Sequence, residues 1–356
     1  MTPLIVGDTV THDARGLGSA HRSQLKIVHR ALKQLGSSAR SFEGINSDEA
    51  AKAADGLLTF RNMLAGVVAD AAIGVSASSN EAAQVYDRYF LMQRSDVLDP
   101  GQQFLVAIPS MAILMRDLVR APVAPDYAAE LIDMVLRMLE ASFASVLSKE
   151  YDTTATTPNA DTAFVGGEMT SVVRWKVGHH AYALANRRAA QLLTESADLL
   201  IAGDVGRATV ALLAAATEVG AILAALVYTS AISASVYMTE VRPTMAPPHC
   251  KFRLSGAMNA DHRAYRMALS RLLSVYTTVV DECAESHDEL LEAVEQVLQL
   301  DVHDLTEHVA LTARLVGSGA ALDERDDGSA VYELRTRLQQ RMDAYKPYFY
   351  NPEGES

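Results

Sequence analysis

The sequence predicts an all-α protein, a multi-helix bundle. Three observations carry the prediction. Ala, Leu, Met, Glu, Gln and Arg, all good helix formers, dominate most windows of the 356 residues. The alternation of apolar and polar residues that marks a strand is almost absent. Pro and Gly gather in a few interruptions that separate runs of helical length. With 49% hydrophobic and 21% charged residues, the chain can bury a core and is not disordered by composition.

The elements follow in order. Residues 1–16 read as a flexible arm without the basic-then-apolar order of a secretory leader. Helices are expected over 17–36, 47–74, 79–95, 101–119 and 124–148, which form an N-terminal helical region at 17–148. "SDEA" at 47–50 reads as an N-cap followed by acids that complement the helix dipole. "DPGQQ" at 99–103 and "APVAPDYAAE" at 121–130 read as stops followed by new starts. Residues 149–167 carry Thr, Asn, Asp and Gly without a helical period, a loop long enough to be functional. The remainder, 149–356, reads as a second helical region continuous with the first. Its helices are expected at 167–201, 205–240, 261–281, 286–299, 302–316 and 329–345. Pro and Gly in 241–259 forbid a continuous helix there.

Inside 205–240, the twenty residues Val219–Met238 carry no charge, which is long enough to cross a bilayer. Their Ala, Ser, Thr and Tyr content, with Glu218 and Glu240 just outside, favours a buried central helix, so no membrane partner is expected. The net charge of −13 and the lack of a basic run argue against a nucleic-acid partner. Two cysteines, Cys250 and Cys283, form neither a disulfide framework nor a CxxC metal pair, and a reducing, cytoplasmic setting fits. A homodimer, the commonest closed assembly, is the expected oligomer.

His308 stands out, in "LTEHVALTARLVGSG" at 305–319. Its same-face neighbours at helical spacing are Asp304, Leu305, Leu311, Thr312 and Leu315, so an imidazole projects from a mostly apolar stripe. Spacing alone leaves two readings. One is a core histidine with satisfied nitrogens. The other is an axial ligand, because a neutral imidazole in an apolar wall suits haem iron. His303 points about 140° away, so the two cannot share one ion.

A second constellation lies on the helix expected at 167–201. Glu168, Val172, Trp175, His179, Tyr182 and Asn186 recur at spacings of three and four, on a face rich in polar and aromatic groups. Met169, Val173, Val177, His180 and Leu184 form the neighbouring face. The pattern fits an amphipathic helix with a buried tryptophan, or a substrate wall whose imidazole moves a proton. His179 is preferred to His180 because it shares a face with Trp175 and Glu168. Arg242 and Arg253 could each grip a carboxylate bidentately or form a surface ion pair. Tyr237 and Glu240, three residues apart, could face one pocket. Ser318 and Gly319 could offer backbone N–H groups to a carboxylate, though glycine is equally a helix terminator. His249 and Cys250, being adjacent, are read as structural rather than as metal ligands.

These segments also carry a resemblance. "HVALTARLVGSG", 308–319, resembles the proximal segment of tryptophan 2,3-dioxygenases, where an axial histidine opens a His-Val-x-x-x-x-Arg-x-x-Gly turn followed by a Gly-Thr-Gly loop. His308, Val309, Arg314, Gly317 and Gly319 match, with Ser318 in the threonine place. "VYMTEVRP", 236–243, resembles the Tyr-x-x-x-Leu-Arg-Pro stretch of the pyrrolnitrin-pathway haem enzyme of the same superfamily, and the Tyr-Met-x-Phe-Arg segment of the dioxygenases. "GEMTSVVRW", 167–175, is similar to their Asp-Glu-Met helix, with Glu168 and Met169 in register. The resemblance covers about residues 165–345.

It implies a bundle enclosing a haem pocket, with His308 as the iron ligand and Arg314, Ser318 and Gly319 around the cofactor. Glu168, Trp175, His179 and His180 would form the catalytic wall, and Arg242, Arg253, Tyr237 and Glu240 would meet the substrate. The distal histidine of the dioxygenases falls on Trp175, a departure that speaks against tryptophan ring cleavage. The related antibiotic-pathway hydroxylases act on tyrosine-type substrates, and some attach haem through a cysteine four residues after the axial histidine. Thr312 occupies that position, which implies non-covalent haem b. The implied activity is oxidation of a free amino acid by O2 or H2O2, foremost an aromatic hydroxylation in secondary metabolism. An arginine oxidase or desaturase, or an indole dioxygenase, is the alternative within the superfamily. Outside it stand a diiron enzyme, whose Glu-x-x-His pairs are missing, and a non-catalytic helical scaffold, which composition permits.

Overall fold

The computed structural model describes residues 19–41, 44–64, 80–92, 100–147, 169–282, 288–317 and 330–349. No strand occurs among them, and ten helices of at least ten residues account for most of them. They are α1 Ser19–Arg40, α2 Ser47–Met63, α3 Glu81–Phe90, α4 Pro100–Asp117, α5 Pro125–Leu147, α6 Ser171–Ile201, α7 Val205–Thr229, α8 Ala260–Glu282, α9 Asp288–Val316 and α10 Ala330–Tyr345. The arm at 1–16 and the loop at 149–167 lie outside the described residues.

Short polar side chains start these helices by accepting otherwise unpaired N–H groups. Asn46 caps α2 and Asn80 caps α3, while Thr170 caps α6 and Asp204 caps α7. The α2 cap is thus one residue ahead of the expected "SDEA", with Asp48 and Glu49 in the first turn.

The helices pack as two groups. In the first, α1 lies on α2 and α5, and α4 lies on the same two helices. In the second, α6 lies between α7 and α8, α9 packs on α7, and α10 packs on α9. The groups join where α5 meets α7 and α4 meets α6, and their buried side chains form one hydrophobic cluster running from Val28 to Tyr345. The apolar α7 is long enough to cross a membrane by length and composition, and here it is the central helix. Its Glu218 is buried against Arg137, whose Nε lies 2.9 Å away and which also bonds Glu130 at 2.9 Å.

Close approach sets the α6–α7 contact. A Cβ on Gly178 would stand 2.1 Å from Thr229 Oγ1 and 2.9 Å from Thr229 Cα, so only glycine fits.

Two helix expectations need correction. The helix expected at 205–240 ends at Thr229. The chain turns through Ser230–Ile232, makes one helical turn at Ala234–Val236 capped by Ser233, and continues as a π-helical turn at Tyr237–Val241 and a 3-10 turn at Arg242–Met245. Two arginines hold this break open by taking its carbonyls. Arg174 donates to Ala231 O at 2.8 Å, and Arg314 donates to Ile232 O at 3.0 Å and Ser230 O at 2.6 Å. Arg174 is itself fixed by Asp117, at 2.6 and 2.9 Å, and Asp117 also accepts from Tyr228 at 2.9 Å.

The second correction concerns 286–299 and 302–316, which form one helix, α9. No Gly or Pro separates them, and Asp301 at the expected gap is locked in the interior. Its carboxylate accepts from Tyr265 at 2.8 Å, Arg266 at 2.7 Å and Tyr345 at 2.6 Å, with Arg341 at 3.2 Å. Burial alone would push this carboxyl up, but Arg341 and Arg266 outweigh it and hold it below the usual carboxylate range. One residue thereby ties α8, α9 and α10 together.

Two stability measurements test these contacts. Gly178→Ala should destabilise the fold by roughly 1–3 kcal/mol in chemical denaturation despite alanine's better helix propensity, because Thr229 backbone cannot retreat. Asp301→Ala should cost about 3–5 kcal/mol, since it strands two buried guanidinium groups; a loss below 1 kcal/mol would show that the cluster is not a structural tie.

Candidate active site

Two adjacent histidines on α6 take different duties because neighbouring helical residues point about 100° apart. His180 uses both nitrogens in packing. Nδ1 lies 2.7 Å from Ser110 Oγ on α4, and Nε2 lies 2.5 Å from Phe90 O at the end of α3. That carbonyl belongs to a helix terminus whose last oxygens lack intrahelical partners, so His180 serves as its cap. Burial holds the His180 pKa below its ordinary value.

His179 spends only one nitrogen. Its Nδ1–H donates to Trp175 O at 2.7 Å, which leaves the Nε2 lone pair uncommitted. Phe90, held by His180, stacks on the His179 ring at 4.0 Å, and the Trp175 ring lies 4.7 Å away. Tyr237 packs on Trp175 at 5.3 Å. The Trp175 Nε1–H is buried with no partner among the described residues. Burial pushes the His179 pKa down to about 3, with a further push from His180 and His308.

A third histidine joins this wall. Asn259 caps α8 by accepting from the backbone N–H groups of Asp261 and His262, which fixes His262 in the first turn. Its Nδ1 lies 3.2 Å from Asn186 Oδ1 and 3.1 Å from the Tyr182 hydroxyl. Asn186 is oriented by donating its amide to Tyr182 O at 2.8 Å, so its oxygen faces the ring and Nδ1 carries the proton. Nε2 again keeps a lone pair. Burial, then Arg266 and Arg341, push the His262 pKa down to about 4.

His308 completes the set from α9. Burial, with Arg341 and Arg337 nearby, pushes it down to about 4, so the ring is neutral at ordinary pH. It makes no hydrogen bond to a described residue. His308 adds a small downward push to the pKa of both His179 and His262. His179, Tyr182, His262 and His308 each retain some accessible surface while burial dominates their titration. One turn before His308, Asp304 is buried, its Oδ1 unpartnered among the described residues, and burial beside Asp301 pushes its pKa up to about 7.

These residues fit a haem. Porphyrin supplies four nitrogens to its iron and needs one neutral protein nitrogen more, whereas an isolated ion needs several ligands. His308 offers that nitrogen from a wall of Leu305, Val309 and Leu315, and no cluster of three His, Cys, Asp or Glu suited to a metal ion occurs among the described residues.

The other sequence-predicted residues scatter. Arg314 donates to the Ser230 and Ile232 carbonyls. Tyr237 is buried beside Trp175, but Glu240 is exposed to solvent. The π turn explains the split, since i→i+5 bonding widens the turn and residues three apart no longer stack. Arg242 lies near Tyr237 and donates to Met238 Sδ at 3.4 Å. Arg253 is half-buried in the segment after Cys250, whose thiol donates to Thr244 O at 3.3 Å. Glu168, Ser318 and Gly319 lie outside the described residues. An open cleft of about 590 Å³ is lined by Arg174, Ser230, Ile232, Leu311 and Arg314 but not by His179 or His308. Its guanidinium groups serve the chain break. Sequence reasoning missed His262 and Phe90. The Asn259-to-His262 spacing at a helix start was the available signal for the first, and nothing in the local pattern marked the second.

Comparison with known proteins places the chain in a family. A family model described as SfmD 3-methyl-L-tyrosine peroxygenase matches residues 15–297, which takes in Trp175, His179 and His262 and ends short of His308. No curated protein and no solved structure matches the chain. The match spans well over half of the sequence, so the chain belongs to the SfmD 3-methyl-L-tyrosine peroxygenase family, a family of enzymes.

Proposed function

We propose that this enzyme hydroxylates a free tyrosine-type amino acid with peroxide as oxygen donor, through a non-covalent haem b held by His308. The carrying observation is the neutral, unpartnered imidazole of His308 set electrostatically against His179, within a chain of a peroxygenase family. The balance is R–H plus H2O2 giving R–OH plus H2O. Peroxide is the two-electron oxidant in this balance, and the haem, when bound, would activate its O–O bond.

The chain's own residues do the rest. Nε2 of His179 takes the proton from one peroxide oxygen and returns it to the other, which departs as water. Its Nδ1–H bond to Trp175 O keeps that lone pair on the correct nitrogen throughout. The partly buried Trp175 ring offers a flat apolar face that suits an aromatic ring, and Tyr237, buried beside it, helps to exclude water. Arg242, near Tyr237, is the better placed arginine for the substrate carboxylate. Thr312, buried one turn after His308, has no thiol for a thioether link, which supports a haem that leaves with acid and organic solvent. The exposed Glu240 offers no acid to a guanidinium, which favours the aromatic substrate over arginine. Peptide N–H groups at Ser318 and Gly319 are proposed for a propionate, and a cytoplasmic homodimer is the proposed working form.

Two substitutions test the assignment. His308→Ala, reconstituted with hemin, should lose the Soret band while its far-UV circular dichroism stays that of the parent; an unchanged Soret spectrum sinks the haem reading. His179→Ala should keep haem but lose turnover of a tyrosine-type substrate with H2O2 by roughly 10²–10⁴-fold. Full turnover in that variant would pass the proton-moving role to another group.

A further inference from the structure

Two polar groups on α9 lack partners where partners are normally found. Asp304 is only 5% exposed, and its Oδ1 meets no hydrogen-bond donor among the described residues. Buried polar atoms are rarely left in that state without a use. His308, four residues on, makes no hydrogen bond to a described residue either. The two side chains share a helix face one turn apart. Every Cα–Cβ bond in a helix tilts toward the N-terminus, so His308 leans back over Asp304 and not away from it. The surrounding groups leave this pairing open. Arg266 and Arg341 act on Asp304 but bond Asp301, and Tyr182, which also interacts with Asp304, bonds His262.

We propose that Asp304 is the positioning residue for His308. Its carboxylate accepts the Nδ1–H of the imidazole, which fixes the rotation and tautomer of the ring and leaves Nε2 as the lone pair that meets the metal. The acceptor also gives the bound ring imidazolate character and so sends more charge to the iron. This rests on His308 being the axial ligand, and the experiment separates the two claims.

The test uses hemin-loaded Asp304→Asn, Asp304→Leu and Asp304→Glu proteins beside the parent. Two readouts are independent of turnover: the iron–histidine stretching band of the ferrous form by resonance Raman, and the midpoint potential by spectroelectrochemistry. The Asn and Leu variants should move the band to lower wavenumber and the potential to a more positive value, while the Glu variant stays closer to the parent. Should the Leu variant fail to fold by circular dichroism, the near-isosteric Asn variant decides. A folded, hemin-loaded Asn variant with the parent's band and potential overturns the role of Asp304. That result beside a colourless His308→Ala protein leaves the axial assignment standing; a His308→Ala protein with the parent's spectrum removes both.

Discussion

The site depends on the azimuth of one helix, and a single buried carboxylate sets it. Asp301 lies seven residues before His308, so the two point in nearly the same direction about 10 Å apart along α9. Two tyrosines and two arginines from α8 and α10 hold Asp301 in the interior. Rotation of α9 would pull this carboxylate from its partners, which would leave buried charge uncompensated. Beyond His308, Arg314 fastens the same helix to the carbonyls of Ser230 and Ile232. The proposed iron ligand therefore sits between two ties, and its direction is decided by residues that never touch the chemistry.

The facing wall is built by the same economy of means. His180 caps α3 through Phe90 O, and the Phe90 ring then lies against His179. The carbonyl of Trp175 is four residues from His179 and fixes its tautomer, while the Trp175 ring covers the imidazole edge. Burial pushes His179, His262 and His308 all below the usual histidine range, so the pocket presents neutral nitrogens and not three cations. A protonated ring could neither bind iron nor accept a proton. Desolvation thus costs the fold some stability as pH falls from about 6.5 toward the depressed values, and keeps the nitrogens usable.

The bundle was legible because its signals are local. Helix formers, caps and Pro/Gly stops placed most elements, including α7, whose uncharged run is the core of the molecule. Errors arose where tertiary bonds overrode local preference. The break at Ser230 carries no Gly or Pro and exists because Arg174 and Arg314, remote in sequence, take its carbonyls. Asp301 suggested a gap and instead anchors a continuous helix. Glu240 followed α-helical spacing on paper, while a π turn sent it to solvent. Arg314 matched the resemblance to the dioxygenases, and its backbone bonds to Ser230 and Ile232 were not readable from that match. Facing pairs are harder still: nothing in the order of residues says that Phe90 stacks on His179, or that His262 meets Tyr182 and Asn186.

Trp175 shows how one substitution within this wall would redirect chemistry. An indole has a donor and no acceptor. At a position where the resembling dioxygenases place an imidazole, the chain therefore has no group able to take a proton. The nearest lone pair on that face is Nε2 of His179, one turn further along α6, and its tautomer is set by the backbone of Trp175 itself. The residue that removes a base from one position thus prepares a base at the next. The indole N–H is buried and unpartnered among the described residues.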